Sequence, residues 1–128
     1  PPEAQSREVA ATWERAFEVW ERVRETAAPY AFVSCHFAHA RVEGCALCFD
    51  FVGPAGGLEQ VERRYDELWR AALAAARAAG ATFSHHQGVG LARLNAFKGE
   101  LGDGARLVRG LKASFDPHGI MNPGKLGA

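Results

Sequence analysis

Val9, Trp13, Phe17, Trp20, Val23 and Ala27 follow one another at three- and four-residue spacing, with Arg and Glu between them. That spacing predicts an amphipathic helix over 7–27 with one aromatic stripe, stopped by Pro29. Tyr30 to Phe37 is dense in aromatic and β-branched residues and predicts a strand. A second strand is expected over 44–52, where Cys45, Leu47, Phe49 and Phe51 alternate onto one face and Ala46, Cys48 and Asp50 onto the other. After the turn Gly53-Pro54-Ala55-Gly56-Gly57 a long helix is expected over 58–79. Leu58, Val61, Leu68, Trp69, Ala72 and Ala76 form its expected buried stripe, and Gly80 is its natural C-terminal cap. Its alanines suit close helix packing. A glycine-containing passage, Gly99 to Gly104, leads to a last helix that Asp103 can cap, with Leu107, Val108, Leu111 and Phe115 facing inward until Asp116-Pro117 stops it. The order helix, strand, strand, helix, shorter helix and tail predicts an α+β fold: an antiparallel sheet covered by helices on one face, with a C-terminal helix and tail.

Composition changes this picture little. The 128 residues hold one core, as a small domain or a piece of a larger protein. Fifteen Asp and Glu balance fifteen Lys and Arg, so nothing pulls the chain toward nucleic acid. The absence of a membrane-length apolar run or a signal-like start predicts a soluble, cytoplasmic protein, and the opening Pro1-Pro2 suggests a processed or excised fragment. Cys35, Cys45 and Cys48 are an odd number in apolar sequence, which fits reduced, buried thiols. Cys45 and Cys48 have metal-site spacing, but three residues apart on a strand they face opposite ways, so no metal site is expected.

Candidate chemistry gathers in two stretches, Ser84-His85-His86-Gln87-Gly88-Val89-Gly90 and Asp116-Pro117-His118-Gly119-Ile120-Met121-Asn122-Pro123-Gly124-Lys125-Leu126. Histidine titrates near neutrality and can move a proton from a substrate carbon or hydroxyl. As neighbours on an extended chain, His85 and His86 face different ways and have different jobs, or are one core and one surface histidine. Gly88-Val89-Gly90 is too short for a dinucleotide fingerprint. Asp50 lies either on the wet side of a half-buried sheet or at a substrate cavity. His36, His39, Arg41 and Glu43 belong either to a solvated loop or to an anion-binding rim.

Taken together, these stretches resemble the C-terminal part of FAD-linked oxidases of the vanillyl-alcohol-oxidase type, most like alkyldihydroxyacetonephosphate synthase, from about Pro29 to the end. The resemblance implies that this chain is the cap and flavin-facing segment of a flavoprotein whose FAD is bound mainly by an N-terminal domain absent from this chain. It implies further that His85 and His86 approach flavin and substrate as the catalytic pair, and that His85, Asn122 and Lys125 lie at the cofactor edge. Cys48, Asp50 and His36 are then expected at a small-molecule substrate, and a homodimer is possible. The chain departs from the synthases in carrying Gln87 where they have a third histidine, and Cys48 and Asp50 where they have tyrosines. An FAD-linked 2-hydroxy-acid or alcohol dehydrogenase fits the residues equally well, and a non-catalytic α+β association domain is the alternative from another class.

Overall fold

The computed structural model describes residues 3–83, 86, 88–91 and 93–126, the side chains of 3–6 excepted. It divides into two units, Pro1–His85 and His86–Ala128.

The first unit is a three-stranded antiparallel sheet with two helices. Strand β1 spans Glu3–Thr12, helix α1 Trp13–Ala27, strand β2 Phe32–Ala38, strand β3 Gly44–Gly53 and helix α2 Leu58–Ala78. β3 is central, in the order β1-β3-β2, so β1 and β2 run parallel to each other and α1 crosses over between them. Thr82, beyond α2, exchanges two backbone hydrogen bonds with Ala10, at 2.9 and 3.1 Å, on the outer edge of β1. That bridge occupies the place of a fourth strand, and the order of elements is then the split βαβ pattern of ferredoxin-like folds.

The stretch expected to open a helix at residue 7 is therefore a strand as far as Thr12. Its Glu, Val and Ala suit a helix locally, but pairing with β3, some forty residues away, decides the conformation. The buried stripe of α1 shifts accordingly: Ala16, Val19, Val23 and Ala27 face inward, while Trp13 and Phe17 are exposed. Small residues here let α1 approach α2, whose own buried set is Leu68, Ala72, Leu73 and Ala76. Leu58, expected in that set, is exposed at the first residue of α2. Trp20 keeps a packing role, its ring 6.1 Å from that of Phe49.

Phe49 in turn lies 6.0 Å from Phe51, which fixes the alternating set of β3 on the helix-covered side, as expected from its period. Arg7 of β1 faces the same side: its guanidinium stacks 4.7 Å from the Trp69 ring and donates to the Tyr65 hydroxyl at 2.8 Å. α2 ends as expected. Gly80 takes φ 88°, its N–H donates to Arg77 and that of Ala81 to Ala76, the paired bonds of a Schellman cap.

The second unit holds two helices, α3 over Leu94–Leu101 and α4 over Gly104–Phe115, and a tail. α3 has no counterpart in the expected elements; it takes in Gly99 from the passage read as a glycine-rich connection. α4 stands where it was expected and stops before Asp116-Pro117, but it buries no residue. Leu107, Leu111 and Phe115, expected to face inward, are exposed, Phe115 by 80%. Asp103 is the N-cap by position and makes no side-chain capping bond.

Candidate functional site

Register aligns three chemically active side chains across the sheet. Glu8 of β1 and His36 of β2 both oppose Cys48 of β3, so the three lie in one row. Asp50 follows two residues along β3 on the same face, opposite the phenylalanines. His36 Nδ1 lies 3.9 Å from Asp50 Oδ2, with both side chains substantially exposed. The predicted substrate-facing residues His36, Cys48 and Asp50 are thus brought together on the sheet face away from α1 and α2.

Cys48 and Glu8 are buried, the carboxylate residue to 5% exposure. The Cys48 thiol is pushed above its ordinary pKa, chiefly by burial, then by the Glu8 carboxylate, which repels the thiolate and accepts the thiol hydrogen, and by Asp50. Cys48 is therefore a protonated hydrogen-bond donor at neutral pH. Sequence reading missed Glu8 because a helix over 7–27 offers no reason to place it beside Cys48. No local pattern marks it: Glu8 is followed by three apolar residues, Val9, Ala10 and Ala11, and only the pairing with β3 brings it beside Cys48.

Cys45 and Cys48 take opposite faces of β3, so the C-x-x-C spacing does not close around one ion. Cys35, on the edge strand β2, is pushed up to about 12 by burial first and then by Cys48, Cys45 and Asp50. All three thiols are free.

The β2–β3 turn makes a second polar locus. His39 adopts φ 49°, Arg41 closes the turn by donating its N–H to Gly44 O at 2.8 Å, and Trp13 Nε1 donates to Arg41 O at 2.9 Å. Gly44 is required here, because a Cβ would stand 2.1 Å from Ala11 O.

In the second unit the tail is ordered by one carboxylate. Asp116 is buried and accepts from the amides of Ile120 at 2.9 Å and Met121 at 3.0 Å. Lys112 Nζ reaches both its carboxylate and Met121 O. The hydrogen bond from Lys112 leads the causes that hold the Asp116 carboxyl below the ordinary range, joined by those amides against the opposing effect of burial. Beyond it, Asn122 takes φ 47°, a left-handed conformation that asparagine tolerates better than most residues, and its side chain is exposed; Lys125 is half-buried. His86 is exposed in a bend, and His85 lies outside the described residues.

The chain belongs to the family of FAD linked oxidases, C-terminal domain, which it matches over residues 2–126. It is 29% identical over 130 residues to the uncharacterized FAD-linked oxidoreductase YgcU of Escherichia coli (strain K12), covering 93% of this chain and 27% of that protein. It is 27% identical over 127 residues to alkyldihydroxyacetonephosphate synthase of Trypanosoma brucei brucei, with 93% and 21% covered, and 30% identical over 106 residues to glycolate oxidase subunit GlcD of Bacillus subtilis (strain 168), with 81% and 22% covered. The chain spans about a quarter of the length of these curated relatives.

Proposed function

We propose that this chain is the cap and flavin-facing part of an FAD-dependent oxidoreductase that dehydrogenates a small hydroxy acid or alcohol. The observation that carries the reading is the family match over nearly the whole chain. The state of Cys48 favours this over the ether-lipid synthase reaction. The synthases resembled here carry a phenol at that position, whereas Cys48 is a thiol held protonated chiefly by its burial and then by Glu8, unsuited to an acid-base role. The glycolate oxidase name of one relative suits the same choice.

The first unit does not fit FAD as a whole. Among the described residues, cavities of about 30, 280 and 330 Å³ are at or below the lower end of the roughly 300–1,000 Å³ that enclose drug-sized ligands, and FAD is larger. An N-terminal domain of the same protein would hold the cofactor, which when bound supplies the hydride acceptor. The residues offered here are then His86 as the proton acceptor, His85 as its positioning neighbour, Asn122 and Lys125 at the cofactor edge, and His36, Cys48 and Asp50 toward substrate. Leu107, Leu111 and Phe115 give α4 an apolar side suited to that N-terminal domain.

Among the described residues β2 pairs only with β3, and it exposes Phe32 and Phe37, so its open side suits a homodimer, which sedimentation would detect. Three free thiols suit a reducing cytoplasm, and no described helix is long and apolar enough to cross a membrane.

FAD titration tests the central reading. The purified chain should not retain FAD, whereas a full-length protein carrying it should hold the cofactor stoichiometrically. Micromolar binding by this chain alone, with a shifted flavin spectrum, would overturn the assignment of the cofactor to another domain.

A further inference from the structure

The sheet face turned away from α1 and α2 is electrostatically one-sided. The three strands contain a single Arg or Lys, Arg7, and it serves the other face, its guanidinium against the Trp69 ring and the Tyr65 hydroxyl. The open face carries two carboxylates instead. Glu8 stands opposite Cys48 and Asp50 opposite Ser34, both neutral partners, with His36 3.9 Å from Asp50. Glu8 is buried, so dissolved ions screen it weakly. Asp50 takes the place of a tyrosine in the synthases resembled here, which puts a charge where they carry a neutral phenol.

Donor and acceptor inventory then decides what this face can hold. An ionised carboxylate only accepts hydrogen bonds, while the Ser34 hydroxyl donates and accepts. A diol or longer polyol brings O–H donors, which form charge-assisted hydrogen bonds to such carboxylates. A 2-hydroxy acid brings one O–H and one carboxylate. Its carboxylate would meet acceptors of its own sign, and the strands offer no Arg or Lys on this face to receive it. Ser34, His36 and Asp50 are all accessible enough to meet a ligand.

We propose that this face selects a neutral polyhydroxy alcohol as substrate and discriminates against the corresponding hydroxy acid. The inference rests on the oxidoreductase reading and narrows it. In the reaction a carbinol C–H bond breaks and its electron pair passes as hydride to the oxidised flavin. The hydroxyl proton goes to the base, and the product is a hydroxy carbonyl compound. Asp50 and Glu8 act on specificity, through the hydroxyl that does not react.

Propane-1,2-diol and lactate, compared as matching enantiomers, share a skeleton and a secondary hydroxyl and differ in one end, alcohol or carboxylate. In a full-length protein carrying this chain and loaded with FAD, the diol should half-saturate anaerobic flavin reduction at a concentration at least about tenfold below that of lactate. Sodium chloride should narrow the gap by screening the exposed Asp50. Asp50→Asn keeps the shape and removes the charge. It should raise the diol's half-saturating concentration and not that of lactate, closing the gap by about tenfold. Glu62→Gln, the same change of charge on α2, should leave the ratio unmoved. Lactate half-saturating at an equal or lower concentration, a ratio that Asp50→Asn leaves unchanged, or no reduction by the diol would overturn the specificity. FAD retention by the same protein is measured separately, so each of these failures would leave the flavin reading standing.

Discussion

The Nδ1 atom of His36 lies 3.9 Å from Oδ2 of Asp50, across the β2–β3 ladder on the face turned away from the helices. Both side chains are well exposed, so the pair contributes at most about 1 kcal/mol to stability. Asp50→Asn should therefore leave the urea midpoint almost unmoved, while in a full-length enzyme it should lower kcat/KM by about tenfold if the pair meets substrate. A large loss of stability with unchanged kinetics would make the pair structural.

Gly44→Ala should destabilise the fold by about 2–4 kcal/mol, because the added Cβ would meet the Ala11 carbonyl of the paired strand at 2.1 Å, and backbone cannot yield as a side chain can. Urea unfolding measures it. The same measurement tests β1, since in a helix over 7–27 Ala11 and Thr12 would not pair with Cys45 and Gly44.

β2, β3 and α2 were legible because each carries its own periodicity and its own stops, such as Gly80 and the Gly53-Pro54 turn. β1 was not. Val9 continues the spacing of Trp13 and Phe17, and only its nonlocal pairing with Leu47 shows that it belongs to a sheet. The aromatic stripe misled for a related reason: Trp13 and Phe17 are large enough to suggest a core, yet close approach of α1 to α2 requires the smaller Ala16, Val19 and Val23. Misreading β1 also hid Glu8, the buried partner of Cys48. The exposed side of α4 was unreadable because amphipathic spacing shows that a helix has an apolar side and not what covers it.

Cys35 should resist alkylation although it is only half-buried. With its pKa pushed up to about 12, the thiolate fraction at pH 8 falls by roughly a thousandfold against an ordinary thiol near 8.5. Timed iodoacetamide labelling with mass spectrometry checks it. The linkage has a matching sign: the folded pKa is raised, so this contribution to stability is complete below about pH 8.5 and is lost as pH rises toward the folded value. Labelling at the rate of free cysteine would show that the site opens to solvent.

Asp116→Asn should loosen the tail without unfolding the chain. The carboxylate accepts from the Ile120 and Met121 amides and from Lys112, and an amide side chain cannot hold all three donors. Amide exchange at Ile120 and Met121 should accelerate severalfold. Because the folded pKa of Asp116 is depressed, the same loosening should appear in wild type under acid: the contribution is present above the ordinary carboxylate value near 3.9 and is lost as pH falls through the lower folded value. Equal protection at pH 2 and pH 7 would assign the tail's order to other contacts.

His86 is expected to act in the chemistry and His85 to position it. The Ser84-His85-His86-Gln87-Gly88-Val89-Gly90 stretch motivates the assignment, together with the acid-base capacity of an imidazole. A histidine needed for proton removal and one needed to hold cofactor fail differently when truncated. In a full-length flavoprotein carrying this chain, His86→Ala should slow flavin reduction by substrate by about a hundredfold or more, the usual scale for a lost acid or base, with FAD content unchanged. His85→Ala should raise KM or lower FAD occupancy more than it lowers the reduction rate. Anaerobic stopped-flow reduction, with bound flavin quantified by absorbance, separates the two. Reduction at the wild-type rate in His86→Ala, or a loss of rate that tracks lost flavin, would return the histidine pair to a structural role and leave the proton to another group, for which Glu8 and His36, on either side of Cys48, are the next place to look.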